Sequence, residues 1–510
     1  MMETMTILPI EEPVAPYVPT AVERAALRVV QFGALAVVLI ATTHRAFDLD
    51  RFFVPKELVL HVTAAISGLL LIRRIRINWT LLSFLGISIL SALFATNGWV
   101  AGRAVAITAS GIVLFGVGRA LREAGLGREV AGTMALAVVV AAVTSLLQAY
   151  GIHLDIFAIN RAPGGTLGNR NFVAHAAAFG LPVVLLAAMR GRRRATIGVV
   201  LVTAALVLTR SRAAWLAFAA VVIIFLLAMV MLRMWRRLAL IVICAGAGVA
   251  AALLLPNALQ WRSDNPYLES VRGVANYQEG SGHGRLLQYR RSLFMSPIIG
   301  VGPGNWAVEY PGRVPSGDPS LDQSVGGMTS NPWPSSDWVA FSAERGFAGV
   351  VLMAMFFLAL LRNGWRQLRE AHDVDERLVA ATLIAMVIGA CVAGAFDAVL
   401  LLALPTLLIF TTLGVLSATP VEAHPRHALL MLLVIAISIA GAARSGAQVI
   451  AMDLYTRGVA LQRASELDPG NYRLHVRLAR GRHRCAHARA AHALYPNADE
   501  ARALARGCSK

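Results

Sequence analysis

The residues in this sequence best suited to chemistry are arginines in short polar stretches between long apolar runs. Arg210 and Arg212 stand in TRSRAAW (209–215), Arg161 and Arg170 in GIHLDIFAINRAPGGTLGNRNF (151–172), and Arg285 in GHGRLLQYRRSLFMSP. Lysine occurs only at Lys56 and Lys510, so nearly every cation is a guanidinium. A guanidinium offers phosphate a planar, bidentate fork, and charge-assisted bonds of that kind are about twice as strong as neutral ones. The natural chemistry for such a set is to grip a phosphate or diphosphate and neutralise the charge that develops on it as a leaving group. Glu344, Arg345 and Asp397 lie at the ends of apolar runs, where an ionisable side chain marks a functional position by default. Glu344 and Arg345 also have a plainer use as partners for each other.

Other familiar chemistries are missing. The sequence has no Walker loop, no HExxH and no dinucleotide fingerprint between a strand and a helix, and no cofactor or metal is expected. GVGPGNW (300–306) is glycine-rich, but it has no strand–helix context and reads as a tight turn, with Asn305 in a supporting place. Asp318 and Asp322 have helical spacing but lie among Pro, Gly and Ser, which suits a solvated loop.

The elements that would position these groups are membrane helices. The 510-residue chain is 57% hydrophobic and 15% charged, with mean hydropathy +0.62. Soluble domains carry roughly 25% charged residues. Apolar runs fall at 28–44, 57–72, 79–96, 104–118, 130–149, 172–189, 195–209, 213–232, 238–256, 339–361, 378–396, 398–418 and 428–443. The expected fold is all-α and polytopic, with about 12–13 transmembrane helices; several runs fall short of the ~20 residues of a full span.

The formal charge of +18 would suggest nucleic acid in a soluble chain. Here the clusters RRIR, RALREAGLGRE, RGRRR, RMWRR and RNGWRQLRE alternate along the chain as the positive-inside rule requires, so no nucleic-acid partner is expected. The same alternation puts the arginines named above on the outer face, against the charge bias. There they call for an anionic partner, or else they snorkel to lipid phosphates.

Five segments follow: a disordered cytoplasmic lead (1–27), the first membrane helices (28–256), a large outer loop (257–338), the last membrane helices (339–443) and a polar helical tail (444–510). A loop of that length between two spans is ordinarily functional. The tail contains two similar stretches, RASELDPGNYRLHVRLA and RAAHALYPNADEARALA, which resemble tetratricopeptide helix pairs and offer a place for a protein partner. So few units bury little core alone. An odd number of spans puts the tail on the loop side, where a Cys485–Cys508 disulfide is one expectation and two free thiols the other. Cys244 and Cys391, inside apolar runs, read as packing residues.

GTLGNRNFVAHA (165–176), TRSRAAW (209–215), GRLLQYRRSLFMSPIIGVGPGNWAVEYP (284–311) and PSSDWVAFSAERGFAG (334–349), in that order, resemble the signatures of the O-antigen ligase and polymerase superfamily. The resemblance spans roughly residues 150–420. It implies a glycosyltransferase of the bacterial inner membrane, with its site facing the periplasm. Such an enzyme moves a glycan from undecaprenyl diphosphate to a lipid or polysaccharide acceptor hydroxyl without metal or nucleotide. Carried over, Arg212 and Arg285 would bind the diphosphate with Arg210 and Arg170 in support. Asn169 and Asn171 would form the family's turn, and Asp397 would match a recurrent acid.

One departure matters. Ligases of the family usually carry His-Asn nine and eight residues before the motif glutamate, and counting back from Glu344 gives Ser335 and Ser336. Serine cannot take a hydroxyl proton as imidazole does. Asp337 or His283 would then serve as base, their plainer roles being a helix N-cap and a loop histidine. A surface polysaccharide polymerase is the alternative within the class. A non-catalytic membrane scaffold or exporter subunit is the alternative outside it.

Overall fold

The computed structural model describes residues 17–42, 50–157, 161–261, 263–273, 280–295, 298–315, 318, 320–322, 328–329, 331–417, 425–481 and 484–508. Within these, every long element is helical. The first half holds α1 (Ala21–Leu39), α2 (Asp50–Leu70), α3 (Trp79–Ala92), α4 (Gly98–Glu123), α5 (Gly127–Ala149), α6 (Arg170–Met189), α7 (Arg193–Leu208), α8 (Arg212–Met231) and α9 (Trp235–Leu254). The loop contributes α10 (Pro266–Arg272), α11 (Gly280–Leu293), α12 (Trp306–Glu309) and a two-residue antiparallel pair, β1 (Leu321–Asp322) with β2 (Met328–Thr329). Then come α13 (Asp337–Glu370), α14 (Val374–Phe396), α15 (Ala403–Leu416) and α16 (Pro425–Arg457). The tail folds as α17 (Leu461–Leu467), α18 (Tyr472–Ala479), α19 (Arg484–Leu494) and α20 (Asp499–Arg506).

Each of the thirteen apolar runs carries one helix, and among the described residues nine of these are long and apolar enough to cross a bilayer. The chain is therefore a multi-pass membrane protein. The other four explain the difference from 12–13. Helices α3 and α15 have 14 residues each and α7 has 16, while α1 carries Glu23, Arg24 and Arg28. Helix α1 also starts seven residues earlier than the lead boundary at 27 implies. Thr20 and Glu23 form a reciprocal capping box, and Glu23 accepts from Tyr17 (2.9 Å) and pairs with Arg74 (2.5 Å).

Helix α6 is the central column, with every residue from Val173 to Met189 buried. It packs on α5, α7, α8 and α14. Beside it, α4 and α15 come into close contact at small residues: a Cβ at Gly414 would lie 2.2 Å from the Phe115 carbonyl oxygen, and one at Gly118 2.3 Å from that of Thr411. Without a hydrophobic drive between helices in lipid, such backbone approach is a main source of attraction.

The tail does not stand alone. Its helices are only 7 to 11 residues long. Tyr472, Val476 and Ala491 pack with Tyr495 and with Met328 of the loop. Trp99 Nε1 donates to Asp468 (2.7 Å), and Gln448 donates to the same oxygen (2.9 Å). The tail thus sits on the loop end of the bundle, and Cys485 is joined to Cys508.

Candidate functional site

The turn between α7 and α8 sets the first arginines. Arg210 has φ +57°, a left-handed conformation that costs a non-glycine residue on the order of 1 kcal/mol. Such strain is typically kept at functional positions. The turn sends Arg210 and Arg212 toward the segment that follows α9. Arg210 donates to Ser270 Oγ (2.9 Å) and Glu269 (3.1 Å), and Arg212 donates to the Gly273 carbonyl (2.5 Å). Trp261 carries the Arg170 guanidinium at 5.0 Å and that of Arg210 at 4.8 Å from its ring centroid. Three of the four expected diphosphate arginines therefore meet around one short loop segment. Burial raises the Tyr267 phenol in this cluster, against the lowering effects of Trp261 and Arg210.

Arg170 is positioned by its own helix start. Asn169 caps α6, its side chain accepting from the Asn171 amide at 3.0 Å. The preceding loop is fixed by Ser145 donating to the Pro163 carbonyl (2.8 Å) and by the Gly165 amide donating to Gln148 (2.8 Å). Asn171 then donates to Asp397 at 3.4 Å, and one turn further on His175 Nε2 lies 3.6 Å from the same carboxylate. Neither ring nitrogen of His175 has a hydrogen-bond partner among the described residues. Arg285 belongs to this second group, within electrostatic reach of His175. No direct contact joins Arg285 to Arg212. The two groups meet through α6, which contributes Arg170 to one and Asn171 and His175 to the other.

Helix α11 is held over this end by Tyr289, whose hydroxyl donates to the Ser335 carbonyl (2.5 Å) and reaches that of Ala395 (3.2 Å). Gln288 accepts from the Ser335 amide (2.9 Å). His283 is exposed on α11, two residues before Arg285.

Asp337 occupies a different setting from that of an accessible base. It is wholly buried, and its two oxygens accept from the Val399 and Leu400 amides at 2.9–3.1 Å. Nor does it cap its helix: Ser336 is the N-cap residue of α13. This geometry makes Asp337 a clamp for the 397–402 segment and so for the neighbouring Asp397. Ser336, accepting from Val339 and donating to the Gly394 carbonyl (3.1 Å), pins the same place.

Glu344 and Asn305 are structural fasteners. The Glu344 carboxylate, 1% exposed, pairs with Arg345 at 3.2 Å and accepts from the Gly304 and Trp306 amides. The Val301 amide donates to the Ala343 carbonyl (2.9 Å) and that of Gly302 to the Glu344 carbonyl (3.1 Å). Gly300 (φ +83°) lies so close that a Cβ would fall 2.2 Å from Glu344 main-chain atoms, and Gly346 (φ +72°, ψ 179°) breaks α13 beside it. The GVGPGNW turn is therefore welded to the Glu-Arg-Gly step rather than cradling a phosphate. Asn305 exchanges bonds with the Asn97 backbone, accepting at 2.8 Å and donating at 3.1 Å. In the loop, Arg291 donates to Asp318 (2.6 Å). Burial pushes the Asp318 carboxyl up, but bonds from Ser320 and Arg291 outweigh it and hold it below its usual value.

A cavity of about 760 Å³ opens on the other side of the loop end. Arg51, Arg103, Arg161, Arg444 and Arg473 line it, and neither Arg212 nor Arg285 does. Phe53, Phe172 and Trp333, with ring centroids 5.3–6.2 Å apart, lie where Phe172 follows Asn171 and Trp333 faces this cavity. Sequence reasoning missed Arg103 and Arg444, because each lies inside an apolar run. It also missed His175, although an imidazole in GNRNFVAHA, one turn past Asn171, was a visible signal.

No curated protein matches this chain. Residues 197–354 match the family model described as O-antigen ligase, a stretch running from α7 through the arginine turn and the loop to the Glu-Arg-Gly step. This multi-pass membrane protein carries an O-antigen ligase family domain.

Proposed function

We propose that the protein is a glycosyltransferase that displaces undecaprenyl diphosphate and joins its glycan to an acceptor hydroxyl at the periplasmic face of the bacterial inner membrane. The observation that carries this reading is the convergence of Arg170, Arg210 and Arg212 on the Trp261–Gly273 segment, inside the stretch leading into the family match. In the structure these guanidiniums bond to Glu269, Ser270 and a carbonyl, acceptors that a diphosphate replaces with stronger ones. Arg285 supplies a further cation from α11.

The reaction breaks the bond from the sugar's anomeric carbon to the diphosphate and forms one to the acceptor oxygen. The acceptor's proton passes to a base, and the electron pair leaves with the diphosphate. Asp397 is the better-placed base. It is partly exposed, held by Asn171 and backed by His175, whereas Asp337 is sealed beneath it. His283 serves in its place if the acceptor approaches along α11. Ser335, standing where ligases of the family carry histidine, favours a polymerase extending a glycan as the second reading.

Reconstitution with a lipid-linked oligosaccharide and candidate acceptors tests this. Arg212→Ala is expected to lower transfer by about 10²–10³-fold, the worth of one well-aimed donor to developing charge, with membrane insertion unchanged. Full transfer by that variant refutes the assignment.

A further inference from the structure

The 760 Å³ cavity takes no part in the transfer geometry above, yet it lies within the roughly 300–1,000 Å³ typical of ligand sites. Its lining is lopsided in charge. Setting aside the internally matched Glu344–Arg345 pair, five arginines face two lining carboxylates, Asp322 and Asp468. A third carboxylate, Glu57, pairs with Arg103 at the wall. The deep end is apolar, with Leu81, Phe84, Ile107, Ile112, Met353 and Phe410. A low-dielectric floor behind a cationic mouth strengthens the attraction for an anion held at that mouth.

The mouth also presents flat aromatic surfaces. Trp99, Trp333, Tyr472 and Tyr495 line it, and Arg444 stacks over Trp99 at 4.7 Å. Rings beside guanidiniums suit a ligand with apolar C–H faces and acidic substituents, which is the chemistry of an acidic sugar. Half of this wall belongs to the tail, which supplies Asp468, Asn471, Tyr472, Arg473 and Tyr495. The tail is locked down by the Trp99–Asp468–Gln448 bonds, and a Cβ at Gly470 would lie 2.3 Å from Trp99. The polar tail, which the transfer site does not use, therefore acts as the roof of a second chamber.

We propose that this tail-roofed cavity binds an acidic saccharide. On the transfer reading above, on which this assignment rests, that saccharide is the acceptor glycan; binding itself does not depend on that reading. The test uses the full-length protein in phosphatidylcholine nanodiscs, with trigalacturonate as probe and its methyl ester as the neutral control. Trp99 and Trp333 make intrinsic fluorescence the readout. Trigalacturonate is expected to give a saturable change, with the ester at least about ten-fold weaker, as loss of a charge-assisted bond implies. Arg473→Gln, an exposed change on α18, is expected to weaken trigalacturonate by about ten-fold with thermal unfolding unchanged. Equal binding of acid and ester, absence of binding, or an unaltered Arg473→Gln affinity overturns the proposal. Arg212→Ala separates the two claims. Normal saccharide binding with transfer lost supports both. Normal binding with transfer retained sinks only the diphosphate assignment, and lost transfer without wild-type binding sinks only the cavity.

Discussion

Glu344→Gln is the most telling single change, because it removes a charge and little else. Glu344 and Arg345 are each 2% exposed at the side chain, with Nη1 to Oε2 at 3.2 Å. Arg345 also donates to Ser88 Oγ (2.9 Å) and lies over the Phe84 and Phe341 rings at 5.2 and 5.6 Å. None of these partners carries charge. Glutamine keeps the shape and an oxygen for the Gly304 and Trp306 amides, so the loss is almost wholly that of the counter-ion. Stranding a buried cation in this way costs about 3–5 kcal/mol. Removing both charges, in Glu344→Gln with Arg345→Met, should restore much of that, giving a coupling energy of at least about 2 kcal/mol. Reversible denaturation in mixed micelles measures the stability. Hydrogen exchange at Val301 and Gly302 should rise in the single variant, since their amides bond to the Ala343 and Glu344 carbonyls. A single-variant loss under about 1 kcal/mol, the value of an exposed pair, would refute the reasoning.

Three further outcomes are expected. Gly300→Ala should destabilise by more than the roughly 1–2 kcal/mol of a left-handed alanine, because its Cβ meets the Glu344 main chain at 2.2 Å. Gly86→Ala on α3, with open space at its Cβ, should show no loss in the same denaturation assay. Asp337→Asn should retain most transfer activity, whereas Asp337→Leu orphans the Val399 and Leu400 amides at about 1–3 kcal/mol each and loses it; abolished transfer by the asparagine variant would return Asp337 to the role of base. For the loop, the Asp318 carboxyl is held below its ordinary 3.8, so its contribution is full above that value and disappears as pH falls through the folded-state value. Exchange protection around Arg291, corrected for intrinsic rates, should therefore be lower in Asp318→Asn than in wild type at pH 7, and the difference should shrink below about pH 4.

Hydrophobic patterning made the membrane architecture readable. Thirteen apolar runs became thirteen helices because a membrane segment must satisfy its backbone within itself, whatever its neighbours do. The local turn at Arg210 and Arg212 and the start of α6 at Asn169 were legible for the same reason: caps and turns are formed by residues close in sequence. Helix α1 ran past its expected start because a capping box extends order beyond the apolar run.

Chain order alone could not show which polar groups meet. Glu344 reaches the GVGPGNW turn some forty residues back, Asn305 closes on Asn97, and Trp99 holds Asp468 across 369 positions. Asp337 looked like a free carboxylate at a helix start until the fold placed the Val399 and Leu400 amides against it. The cationic chamber under the tail was equally hidden, since Arg51, Arg103, Arg444 and Arg473 come from four separate elements. Sequence by itself determined which stretches enter the bilayer and which guanidiniums stand at its edge, because burial of apolar surface and local capping act over one or two turns. Only the tertiary structure decided which of those charges are fasteners and which face a cavity, because a buried charge takes its role from partners that folding brings from hundreds of residues away.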